Sequence, residues 1–256
     1  MITKDPKEIE VLKHGGKILA TVLNMVASKA KPGVSAAELD QLAEAEILKA
    51  GGKPSFKNYR SQTGDPAFPA SLCVSRNNEV VHGIPYKDKI LHDGDIVGLD
   101  LGVEYKGYFT DSAITVPVGK VSSDKLKLIE AATESLANGL AQVKPGNFTG
   151  DIGAAIEATA KKYGFQVVRE LVGHGVGKAV HEEPEVPCFG KPKTGTKLVE
   201  GMVLAIEPMV NQGGWKINFA ADGWTIITED GGWSAHMEHT ILLTAEGFEI
   251  LTKNMV

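Results

Sequence analysis

Cysteine is scarce: the 256 residues contain two, Cys73 and Cys188, far apart and outside any CxxC spacing. That argues against a disulfide framework and for a reducing compartment. Long hydrophobic runs are missing as well. No stretch approaches the ~20 apolar residues of a membrane span, and the opening MITKDPKEIEVLKHGGK has no signal-peptide core. Positive charge is not in surplus. With a formal charge of -5 and dispersed basic residues, there is no footprint for nucleic acid or an anionic membrane, which leaves a small molecule or peptide as the default ligand. Several chemical signatures are absent too. GHGVGK lacks the GxxxxGK[ST] spacing of a phosphate loop and fits GxGxxG no better, HEEP is not HExxH, and no GxSxG elbow or thiol-protease signature occurs. What is present is ordinary globular composition, 43% hydrophobic and 23% charged, enough for one large domain or two fused halves. A soluble cytoplasmic protein is expected.

Asp5-Pro6 followed by Glu8 starts a helix, with Ile9, Leu12, Leu19, Val22, Leu23 and Val26 at helical spacing before Lys31-Pro32-Gly33 stops it. Ser35 and Glu38 form a capping box for a second helix carrying Leu39, Leu42, Ala43, Ile47 and Leu48. From Phe56 to Cys73 aromatics alternate with turn formers, and the segment reads as a surface loop leading to a short strand, SLCVS. Beyond Gly119 the same grammar restarts. Ser122-Ser123-Asp124 caps a helix with Leu126, Ile129, Leu136 and Leu140; Lys144-Pro145-Gly146 stops it; Thr149 or Asp151 opens another; VVRELV reads as β.

The densest stretch is Asp93 to Val116. IVGLDLGV and YFTDSAITV flank Glu104-Tyr105-Lys106-Gly107, which predicts an antiparallel hairpin. The midpoint of Asp100 and Asp111 falls between Tyr105 and Lys106, so closure there sets the two acids opposite each other, with Cβ atoms about 5 Å apart. At ~4 Å and an effective dielectric near 20 the pair costs about 4 kcal/mol, so the site is solvated, shares a proton or holds a cation. The later half echoes this stretch. VHEEP follows VHGIP, EGMVLAIE follows DGDIVGLD with its acid again seven residues after the turn, and EHTILL follows DSAITV. With the repeated Lys-Pro-Gly stop these make four echoes in one order, which point to an internal duplication with an offset of roughly a hundred residues. The expected architecture is α+β: a single catalytic domain of two pseudo-symmetric halves, about 5–119 and 122–252, with a curved antiparallel sheet and helices on its outer face. Asp100, Asp111, Glu207 and Glu238 would meet at its centre, where their repulsion calls for bound cations, and His174, among glycines in VGHGVGK, would be the fifth ligand. Four acids and an imidazole suit two ions such as Mn, Fe, Co or Zn. Asp95 and Glu200 read instead as solvated residues.

The spacing of Asp100, Asp111, His174, Glu207 and Glu238, with VVHGIP, GHGVG, HEEP, AIEP and EHTILLT around them, resembles the type I methionine aminopeptidases of the pita-bread fold over nearly the whole chain. The resemblance implies a hydrolase that removes the initiator methionine from nascent proteins and peptides with a small second residue, using a hydroxide between two divalent ions (Co, Mn, Fe, Zn or Ni). It implies that Asp111 and Glu238 bridge the ions, that Asp100 holds one and His174 with Glu207 the other, and that His82 and His181 flank the substrate and stabilise the tetrahedral intermediate. Glu207 would carry a proton to the leaving nitrogen. A methionine pocket calls for apolar, shape-matched walls, for which Phe56, Tyr59, Phe68, Cys73 and Trp224 are the candidates. NYRSQTGDPAFP is longer than the family's usual loop and places Tyr59 outside the pattern. Nascent N-termini near the ribosomal exit tunnel are the expected partners of a monomer that binds neither nucleic acid nor membrane. A prolidase or X-prolyl aminopeptidase would need a further N-terminal domain, and the residues before the hairpin leave no room for one. A binding module that had lost its metal should lack ligands, and all five are here.

Overall fold

The Asp5 carboxylate accepts a hydrogen bond from Lys7 N and Pro6 takes the first helical position, where its missing N–H costs nothing; helix α1 (Pro6–Lys29) follows. The reciprocal Ser35–Glu38 box starts α2 (Ala36–Lys49), and Ser122 caps α3 (Ser123–Leu140). In α4 (Thr149–Tyr163) both candidate residues contribute to the start: Thr149 is the first helical residue, and Asp151 accepts from Phe148 N. This is a computed structural model, and it describes residues 1–60 and 66–253. The middle of the extended NYRSQTGDPAFP loop therefore lies outside the described residues.

Strands β1 (Lys53–Pro54), β2 (Leu72–Arg76) and β3 (Glu79–Val81) precede the long hairpin of β4 (Ile96–Tyr105) and β5 (Tyr108–Pro117). After the second helix pair come β6 (Gln166–Val167), β7 (Gly173–Gly175), β8 (Glu182–Val186), β9 (Val203–Ile206) and β10 (Met209–Asn211). The chain closes with β11 (Ile217–Phe219), β12 (Ile226–Thr228), β13 (Ser234–His236), β14 (His239–Leu243) and β15 (Phe248–Ile250). Pairing is antiparallel throughout: β5 and β2 flank β4, while β15, β14, β9, β7 and β8 form a second sheet in that order. Two shorter sheets, β13-β10-β6 and β11-β12-β3, complete the set.

Each helix pair backs its own strands. Leu19, Leu23 and Val26 of α1 with Leu39 and Ile47 of α2 pack on Leu99, Leu101 and Val103 of β4. Leu128 and Leu136 of α3 with Ile152 and Ile156 of α4 pack on Leu204, Ile206, Val210 and Ile241. Each such side chain, fully or almost fully buried, contributes about 1.5–3 kcal/mol through apolar burial. Ile114 touches both cores. Where β5 meets the segment from Ser234 to Thr240, side-chain hydroxyls bond to backbone. Thr240 Oγ1 donates to Asp111 O and accepts from Asp111 N, Ser112 Oγ donates to Glu238 O, and Thr115 Oγ1 bonds both ways with His236. At about 1 kcal/mol net for each bond, this seam aligns the two sheets across the centre.

Three local expectations need correction. VVRELV contributes only Val167, the last residue of β6: Val168 N still bonds to Met209 O of β10, and the chain then bends away at Arg169 and Glu170 before reaching His174. Over its described part the segment from Phe56 to β2 is a loop, with Lys57, Asn58, Arg60, Pro66 and Pro69 exposed, but it does not lie wholly on the surface: Phe56 is 8% and Phe68 3% exposed. Their rings are too apolar to leave in water, and Phe68 packs edge-on against Trp224 with centroids 5.3 Å apart. Asp95 is buried rather than solvated, accepting from Asn77 Nδ2 and His92 N, whereas Glu200 is an exposed partner of Lys4.

Candidate metal centre

Two of the acids come from the hairpin, whose register differs from the midpoint expectation. Tyr105 pairs with Tyr108, so the turn is Lys106-Gly107, with φ of 50° and 82°. This is the doubly left-handed turn that matches strand twist, and glycine at its second place makes it cheap. Asp100 consequently lies opposite Ala113, and Asp111 opposite Gly102. The two acids are diagonal neighbours on one face of the hairpin rather than facing partners. The other acids come from the second sheet, where Glu207 leaves the end of β9 and Glu238 enters β14, beside the pairing of Ile206 with His239. His174 is the central residue of β7, paired with Ala205.

All five expected ligands converge. Ligand atoms of Asp111, His174 and Glu238 lie within 4.8 Å of one another, and His174 Nε2 is 3.3 Å from Glu207 Oε1. Asp100 Oδ1, Asp111 Oδ1 and Glu238 Oε1 are buried without a hydrogen-bond partner among the described residues. Unpaired carboxylate oxygens in a dry interior each carry a desolvation penalty, so this donor set fits divalent cations. Burial, reinforced by the neighbouring acids, pushes Asp111 and Glu238 well above the carboxylate range. Asp100 is carried up to about 6, mainly by burial. Burial also acts to raise Glu207, yet the imidazoles of His174 and His236 bring it down to about 2. For His174 burial is outweighed by the Glu207 carboxylate, and its pKa rises.

The two histidines of VHGIP and VHEEP stand on the rim. Burial lowers both to about 4, so each is a neutral imidazole at physiological pH. His82 has φ of 56°, a left-handed conformation at a functional position, and Gly83 beside it lies so close to the Val74 carbonyl that no Cβ would fit. Tyr59 Oη lies 2.7 Å from His181 Nδ1. With the phenol donating, the neutral ring keeps its proton on Nε2. Tyr59→Phe is expected to lower kcat about tenfold with little change in KM, the effect of losing a hydrogen bond worth ~1.4 kcal/mol, as steady-state kinetics would read.

Phe56, Tyr59, Phe68, Cys73 and Trp224 all line one cleft of about 490 Å³ together with His82, His181, Asp100, Asp111, Glu207 and Glu238. His174 faces an adjoining recess with Val81, Leu171, Val172 and Met209. Cys73 pairs in register with Asp100, which puts the apolar pocket directly beside the acids, and Trp224 is anchored by Nε1 donating to Pro66 O. Sequence reasoning missed His236, which is 3% exposed, with Nε2 3.5 Å from Glu207 Oε2. The available signal was its alternation with Glu238 in SAHMEH, which sets both side chains on one face of an extended segment.

Residues 10–245 match the pattern of metallopeptidase family M24. The chain is 47% identical over 253 residues to methionine aminopeptidase 1 of Bacillus subtilis, covering 99% of each protein. Among solved structures it is similar to a methionine aminopeptidase from Thermotoga maritima, at 43% identity and a TM-score of 0.94, covering 99% of this chain and 100% of that one. It is also similar to one from Rickettsia prowazekii, at 37% identity and a TM-score of 0.93 with the same coverage.

Proposed function

The chain belongs to metallopeptidase family M24, with its pita-bread fold, and from that membership we infer that it is a methionine aminopeptidase, hydrolysing the peptide bond after an N-terminal methionine. The observation that carries this reading is an apolar cleft ending on three buried carboxylates, each with an oxygen that has no partner among the described residues. We propose that Asp100, Asp111, His174, Glu207 and Glu238 would hold two divalent ions, with Asp111 and Glu238 serving both. When bound, such ions supply Lewis acidity and a water acidic enough to attack a carbonyl at neutral pH.

The chain's own groups do the rest. The walls of Phe56, Phe68, Cys73 and Trp224 take the methionine side chain, whose polarisable thioether suits aromatic edges and faces. His181 donates its Nε2 proton to the developing oxyanion, a role that needs a neutral ring rather than a cation. His82, lining the same cleft, orients the substrate. Glu207, a strong carboxylate acid and therefore a carboxylate at rest, takes up a proton only in passing and delivers it to the leaving nitrogen. A preference for a small second residue, nascent polypeptides emerging near the ribosomal exit tunnel as substrates, a cytoplasmic location and a monomeric enzyme complete the proposal. Among the described residues no helix is long and apolar enough to cross a membrane. The helix pair backing each set of antiparallel strands supports duplicated halves, about 5–119 and 122–252, within one catalytic domain.

The test is a peptide panel assayed with Mn, Co or Fe. Release of methionine from Met-Ala peptides, with Met-Leu and Ala-Pro peptides spared, is the expected result. Preferential cleavage of Ala-Pro would overturn the substrate assignment.

A further inference from the structure

His236 is held more tightly than packing alone requires. Its N–H donates to Thr115 Oγ1 at 2.8 Å and its carbonyl accepts from the same hydroxyl at 2.9 Å, while on the other edge of β13 it pairs with Met209 of β10, two positions after Glu207. The backbone is thus fixed from both sides, and the imidazole enters the centre with Nε2 buried. No hydrogen-bond partner meets that nitrogen within the usual limits among the described residues, and Glu207 Oε2 approaches it to 3.5 Å. The opposite oxygen of the same carboxylate, Oε1, lies 3.3 Å from His174 Nε2. Glu207 is therefore flanked by one imidazole on each oxygen.

A buried ring N–H without a partner costs about 1–3 kcal/mol, so a His236 that carries its proton on Nε2 is favoured only when that proton is aimed at Glu207. Site hydrogen bonds of this kind are often long in the free protein and tighten once the site is loaded. Carboxylates that ligate metals need such partners, because an unheld carboxylate rotates about its last bond and swaps between one-oxygen and two-oxygen binding.

We propose that His236 is a positioning residue: its Nε2–H holds Oε2 of Glu207, leaving Oε1 to face the ion shared with His174. The proposal rests on the metal-centre reading of the preceding subsection. It assigns His236 no contact with substrate or with the ion, and it gives the two oxygens of Glu207 different roles, one tied to the protein and the other free for metal.

Metal-free protein titrated with Co(II), without substrate, tests this through calorimetry and the visible absorption of the bound ion. His236→Leu removes the donor at similar volume. It is expected to weaken binding of one of the two ions about 10–100-fold and to change that ion's absorption bands. His236→Gln, whose amide can donate over a comparable reach, is expected to restore most of the affinity and the wild-type bands. Wild-type affinity and spectrum in His236→Leu would overturn the proposal, as would a glutamine variant no better than leucine. Should leucine prevent folding, His236→Asn, whose amide stops short of Oε2, takes its place, and equal Co(II) affinity in the asparagine and glutamine variants overturns the role. Wild-type protein that binds no Co(II) would overturn the metal-centre reading itself, which separates that failure from a failure of His236 alone.

Discussion

Chelating the divalent metal is expected to abolish release of methionine and to lower Tm by a margin that widens as pH rises from 7 to 8.5. The cause is the carboxylate cluster. Without a cation, Asp111 and Glu238 are pushed well above their ordinary range by burial and by each other, and His174 is raised by Glu207 against the effect of its own burial. A group whose folded pKa is raised gives stability at low pH that is lost as pH climbs through the folded value, because the unfolded chain releases the proton first. His82 and His181 act with the opposite sign. Burial takes them from 6.5 to about 4, so their contribution is lost only on acidification below 6.5 and is almost complete above pH 7. As pH climbs through these raised values the metal-free protein therefore weakens. Bound metal removes the penalty and, at a hundred times its Kd, adds about 2.7 kcal/mol. Thermal melts with chelator or Co(II) at the two pH values check this. Equal chelated Tm values at pH 7 and 8.5 would show that the acids do not govern stability.

Asp111→Asn is expected to cut kcat/KM at least about a thousandfold and to leave no more than one tightly bound ion. Removing a shared ligand withdraws charge from both ions, and a loss of ~4 kcal/mol of transition-state stabilisation is a factor of about a thousand. The amide keeps the shape of the carboxylate, and the backbone on either side stays clamped by Thr240 Oγ1, so the fold should survive. Metal analysis of the dialysed variant alongside steady-state kinetics reads both effects. Two tightly bound ions and a wild-type rate in this variant would refute the bridging role given to Asp111.

Much of this centre could be read in the chain because its chemistry is local to short motifs. The helix starts at Asp5, Ser35 and Ser122 are set by side chains within three residues of the caps they form, and those signals survive without tertiary context. Asp100 and Asp111 stood out because acids are costly in strands otherwise made of valine, leucine and isoleucine. Their register was less legible: symmetry about the two aspartates suggested one closure, but turn chemistry at Lys106-Gly107 decided another. The burial of Phe56 and Phe68 depends on Trp224, more than 150 positions downstream, and no local pattern carries that. His236 escaped for a related reason. A single histidine in a short buried strand is usually core, and only the approach of Glu207 gives it a role.

The hydroxyl seam bears on the order in which the molecule assembles. Its bonds join residues 121 to 129 positions apart, from Thr115–His236 to Asp111–Thr240, so closing it costs more loop entropy than the β4–β5 hairpin or the β9–β14 pairing on either side. The acids are distributed on both sides of that closure. A chain that forms its local hairpins first meets the repulsion between Asp111 and Glu238 only as the sheets join. An ion that needs ligands from both sides then has little to hold before the sheets join, and stabilisation gained only after that joining lengthens the lifetime of the folded state more than it speeds its formation.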